Sequence, residues 1–144
     1  MMQAVNVNYL AVLVAAIASI ALGFLWYGPL FGKQWISLMN FDKKKMQEAK
    51  KKGMGKMHAL AFFVSLVTAW VLAHSVIFAS SYLKISGVFA GIFVGSMTWL
   101  GFFATTQLGM VMWEGKPVKL YLLNTLHYLV TLVIMASIIA VWPY

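Results

Sequence analysis

The chain contains no cysteine and no arginine. Without cysteine there are no disulfides and no thiolate metal sites, and the redox compartment leaves no mark on the sequence. The acidic residues are three, Asp42, Glu48 and Glu114, and none falls inside an apolar run. Ion-coupled transport usually relies on an ionisable group at membrane depth, so its common carrier, a buried carboxylate, is missing. Charged residues make up 10% of the chain, against roughly 25% in soluble domains. That is too little polar surface to cover a water-soluble globule. No nucleophile–base pair, phosphate-cradling glycine loop or metal constellation appears. No enzymatic activity, cofactor or metal is therefore expected.

What is present is apolar. Hydrophobic residues are 62% of the sequence, in runs near the ~20 residues that cross the ~30 Å hydrocarbon layer as a helix. The expected fold is an all-α membrane protein, a single transmembrane domain over residues 1–144 with four transmembrane helices. The spans fall at about 9–28, 57–80, 87–113 and 118–141, with a basic loop over 33–56. The first run lacks a positively charged n-region and is too long for a secretory leader, so it reads as a span.

The first span ends in Trp26-Tyr27-Gly28-Pro29. Pro29 has no N–H and clashes with the Leu25 carbonyl, which predicts a kink or a stop. Trp26, Tyr27 and Trp35 suit a water–lipid boundary, with the ring body buried and the polar edge wet. Beyond the break, Phe31, Trp35, Leu38 and Met39 share one helical face, and Lys33, Ser37 and Asn40 another. That pattern predicts a short interfacial helix. Trp26, Tyr27, Pro29, Lys33 and Trp35 form the interfacial motif. Further on, Asp42 is placed to cap a short helix that ends at Gly53.

In the third span Gly87, Gly91, Gly95, Thr98, Thr105 and Gly109 recur at helical spacing. Small residues let another helix approach closely, and since lipid gives no hydrophobic drive the contact must come from packing. The glycines Gly87, Gly91, Gly95 and Gly109 are read as a helix-packing seam, against this chain or a second copy. The turn Glu114-Gly115-Lys116-Pro117 follows. Gly115 accepts the left-handed conformation that closes a helix, and Pro117 presets the first turn of the next. Spans three and four are thus an antiparallel hairpin. On span four Asn124, His127 and Thr131 share a face. Opposite Thr98, Thr105 and Thr106 they form a candidate intramembrane polar cluster. A lone His74 in span two reads as hydrogen-bonded within the bundle. Trp142 and Tyr144 mark the far boundary.

The net charge is +8, all of it from the eleven lysines. Eight of the eleven lie between Lys33 and Lys56, and Lys116 and Lys119 flank the second turn on the same side. Lys84 is alone on the other. The positive-inside rule then places both basic loops in the cytoplasm and both termini outside. The lysine loop has no aromatic interleaving for base stacking, so anionic headgroups of membrane lipids are the expected partner and nucleic acid is not.

Trp26-Tyr27-Gly28-Pro29 with Phe31-Gly32-Lys33 and Trp35, then Gly101-Phe102-Phe103-Ala104-Thr105-Thr106, then Glu114-Gly115-Lys116-Pro117 and Asn124, carry a likeness. Over nearly its whole length the chain resembles a bacterial membrane family known as domain of unknown function 1761. The resemblance implies a small four-helix protein of the bacterial cytoplasmic (inner) membrane and implies no activity. The expected function is a helix-packed homo-oligomer that binds lipid or a small ligand. The alternative is a small transporter or channel with a polar path near Asn124 and His127.

Overall fold

The computed structural model describes residues 5–143, and among them the chain is helical with no strand. Helix α1, Tyr9–Leu30, is followed by two short helices, α2 (Gly32–Met39) and α3 (Lys43–Lys51). Then come α4 (Gly55–Leu83), α5 (Gly87–Met112) and α6 (Val118–Val141). Helices α1, α4, α5 and α6 are the four long and apolar enough to cross a membrane. The expected four-span, all-α architecture is thus observed, with α2 in the place predicted for the short helix. Tyr144 lies outside the described residues.

Local chemistry sets the helix ends. The Asn8 side chain accepts from the Leu10 and Ala11 N–H groups at 3.0 and 3.2 Å and so caps α1. Asp42 caps α3 in the same way through the Lys44 N–H at 3.2 Å. Gly53, at φ +79°, lies between α3 and α4. At the α5–α6 turn Gly115 adopts φ +65°, and the Lys116 N–H donates to the Met110 carbonyl at 3.0 Å. Pro117 immediately precedes α6, and its carbonyl accepts from Leu120 and Tyr121.

Two spans are not regular α-helices. In α1 the turn Trp26–Leu30 is π-helical, and the Phe31 N–H reaches the Trp26 carbonyl at 2.9 Å. The helix widens around Pro29, which relieves the clash that a regular turn would impose, and ends one residue later at Leu30. In α5 the stretch Trp99–Ala104 is π-helical as well.

Helix α6 is the centre of the bundle and packs against α1, α4 and α5. The core is rich in alanine: Ala15 and Ala16 of α1, Ala69 of α4 and Ala136 of α6 are all 0% exposed. Leu72, Leu132, Met135 and Ile139 fill the space between them. Small side chains bring the backbones close, and closeness multiplies the dispersion contacts that hold helices together in lipid. The outer face of α4, with Phe63, Val67, Trp70 and Phe78, is exposed.

The glycine seam is shorter than expected. A Cβ added to Gly91 would lie 2.3 Å from Ser137 Cα, and one added to Gly95 would lie 2.7 Å from Val133 Cα. These two glycines admit the backbone of α6 from the same chain. Gly87 and Gly109 take no part. Gly87 opens α5 at φ +62° with open space around it, and a Cβ on Gly109 would meet only Trp113, 3.6 Å away in its own helix. Gly87 drops out because it is the first residue of the helix, and Gly109 because of the π-helical stretch between Gly95 and Gly109. Its extra residue rotates everything beyond it out of the face that the α-helical spacing predicts.

Candidate functional site

Both π-helical turns dock on one segment of α6. From the first, the Trp26 indole N–H donates to the Leu123 carbonyl at 3.1 Å, and the Tyr27 hydroxyl donates to Asn124 Oδ1 at 3.0 Å. From the start of the second, the Trp99 indole N–H reaches the Thr125 carbonyl at 2.7 Å and its hydroxyl at 3.0 Å. In return, the Tyr121 hydroxyl donates to the Ala104 carbonyl at 2.7 Å. Residues Tyr121, Leu123, Asn124 and Thr125 therefore hold two other spans at one depth.

A widened turn leaves carbonyls poorly partnered, and in lipid each must find a donor within the protein. The second π turn supplies its own. The Thr105 hydroxyl donates to the Gly101 carbonyl at 2.8 Å, and the Thr106 hydroxyl donates to the Phe102 carbonyl. This corrects the expected polar cluster. Thr105 and Thr106 are exposed and turn back on their own helix, and no hydrogen bond joins Thr98 to Asn124, His127 or Thr131. The nearest acceptor for each hydroxyl is a carbonyl of the widened turn, four residues back.

The other half of the cluster is real, with different partners. His127 lies in an aromatic surround, its ring centroid 4.9 Å from Tyr27, 5.7 Å from Trp26 and 5.5 Å from Tyr128. Its Nε2 is 3.4 Å from the buried Thr131 hydroxyl, and its buried Nδ1 has no protein partner. Tyr128 stacks on Phe103 of the second π turn at 4.7 Å. Trp35 of α2 meets the edge of Tyr27 at 5.4 Å and Phe41 at 5.3 Å, so the aromatic chain runs out of the bundle along α2. Trp26 and Tyr27, expected as boundary anchors, direct their polar atoms onto α6 instead. Gly32 is buried where α2 folds back, since a Cβ there would stand 2.7 Å from the Tyr27 carbonyl.

The chemistry of this arrangement is limited. No carboxylate contributes to it. His74 bonds the Trp70 carbonyl of its own helix at 2.9 Å, and among the described residues no three metal-ligating side chains come together.

The sequence model of DUF1761, a protein family of unknown function, matches residues 10–140. The chain belongs to the DUF1761 family. No curated protein and no solved structure matches it. The stretches that carried the resemblance are, in this DUF1761 protein, the first π turn, the second π turn with its two threonines, and the α5–α6 turn. Asn124, the last of the matching residues, is where the first of these turns is bonded to α6. Sequence reasoning missed Trp99, Tyr121 and Thr125. Their one signal was a tryptophan in mid-span, whose indole N–H must find an acceptor away from water.

Proposed function

We propose that this DUF1761 protein is a non-enzymatic multi-pass protein of the bacterial inner membrane that engages anionic lipid through its lysine-rich end. The carrying observation is the placement of α3. Its lysines are all exposed, and no other element packs substantially against it. It belongs to the end of the bundle that also bears Lys33, Lys116 and Lys119. A solvated helix with this charge is drawn to an anionic leaflet by about 1 kcal/mol per lysine near the surface. On this reading the basic end faces the cytoplasm and both termini face outward. The Tyr27–Asn124 and Trp99–Thr125 bonds are the rigid mounting for that end. Gly91 and Gly95 give no argument for a second copy, because α6 of the same chain already fills the space beside them.

An environment-sensitive dye on Lys50→Cys tests this in bilayer discs. The dye is expected to move to a less polar setting when phosphatidylglycerol replaces phosphatidylcholine, and to return in 1 M salt, where the Debye length is about 3 Å. An identical signal in both lipids would overturn the reading.

Transport is the second reading, favoured only by the buried, unpartnered His127 Nδ1. Flux of protons, metals or cationic dyes in proteoliposomes, abolished by Asn124→Ala with His127→Ala, would establish it in place of the first.

A further inference from the structure

An open groove of about 720 Å³ runs between α2 and the first turns of α6. Phe31, Leu38, Leu122 and Leu126 give it apolar walls, while Lys33 and Lys119 face it from the two helices. Gln34 and Ser37 add neutral polar groups, and no acidic residue lines it. Both lysines are exposed. Each lies in the first turn of its helix, where the peptide dipoles already favour negative charge and local energetics disfavour a cation. The pair is thus uncompensated within the groove. A free inorganic anion would use the lysines and leave the leucines bare. A neutral lipid would do the reverse.

We infer that this groove binds one anionic glycerophospholipid, with its phosphate between Lys33 and Lys119 and an acyl chain along Leu122 and Leu126. The inference rests on the proposal that the basic end meets an anionic leaflet, and narrows it to one bound molecule. Lysine stems lie along apolar surface while their ammonium groups reach a phosphate. Gln34 and Ser37 offer donors to the glycerol ester oxygens. Trp26 connects the groove to the interior, since it lines the groove and also approaches His127.

The test is native mass spectrometry of the full chain released from discs containing phosphatidylglycerol and phosphatidylcholine. The wild type is expected to retain one phosphatidylglycerol in preference to phosphatidylcholine. Lys33→Gln with Lys119→Gln should lower its occupancy by about tenfold or more. Leu122→Trp should lower it too, with both lysines present, by filling the groove. Lys50→Gln with Lys51→Gln should leave it unchanged, and millimolar inorganic phosphate should not displace it. Circular dichroism confirms that each variant keeps its helices; Leu122→Gln replaces Leu122→Trp if the latter does not. Retention by the Lys33 and Lys119 variant, or displacement by phosphate alone, would overturn the groove. Equal loss from the Lys50 and Lys51 variant would overturn it as well, while leaving the diffuse lipid contact of α3 standing. No preference for phosphatidylglycerol in any variant, together with a silent dye on α3, would remove both.

Discussion

Glycine does different work at different places in this chain, and substitution separates the cases. Gly91→Ala puts a methyl group against the α6 backbone at Ser137, and overpacking of this kind costs about 1–3 kcal/mol. Gly101→Ala meets nothing within 4 Å and should be near neutral. Unfolding titrations in mixed micelles should show a large shift for the first and almost none for the second. Tyr27→Phe removes only the bond to Asn124 and should cost about 0.6 kcal/mol, the average for hydrogen bonds between membrane helices. The double variant with Asn124→Ala should then cost less than the sum of the two singles. Spacing in the sequence placed Asn124, His127 and Thr131 correctly on one face of α6. It could not identify their partner, because Tyr27 lies 97 positions from Asn124 and nothing local links them.

The elements divide by whether their cause is local. Asp42 as a helix cap, Gly115 as a stop and Pro117 as a start act through their immediate neighbours, so α3 and the α5–α6 turn were legible beforehand. The π turns were not. Pro29 announced a disturbance in α1, but its outcome depends on what Trp26 and Tyr27 find on α6. In α5 no proline marks the place at all, and the widened stretch becomes intelligible only through Trp99, Thr105 and Thr106. That is also why Gly109 was read into a seam it does not join. If the threonine hydroxyls repair the second π turn, Thr105→Val with Thr106→Val leaves two carbonyls short of a donor at unchanged shape. A loss of about 1–3 kcal/mol is expected. The same unfolding titration checks it, with Thr68→Val as the comparison, since the Thr68 hydroxyl bonds the Val64 carbonyl within a regular α-helical stretch.

At the scale of the whole molecule, orientation is the first quantity to measure, and the absence of cysteine makes it simple. Lys50→Cys and Lys84→Cys each create a single thiol on opposite ends of the bundle. In intact cells a membrane-impermeant maleimide should label Lys84→Cys and reach Lys50→Cys only after permeabilisation. The number and order of the spans were readable from apolar length alone, and the lysines set the expected direction. The place of α6 at the centre was not, because all four spans are similarly apolar and nothing in hydropathy ranks them. That place has a consequence for biogenesis. The α6 helix is the last of the four to leave the ribosome, yet α1, α4 and α5 all pack against it. The contacts with α6 therefore form only once synthesis has passed Val141, whereas the packing of α1 on α4 needs only the first two of the four spans.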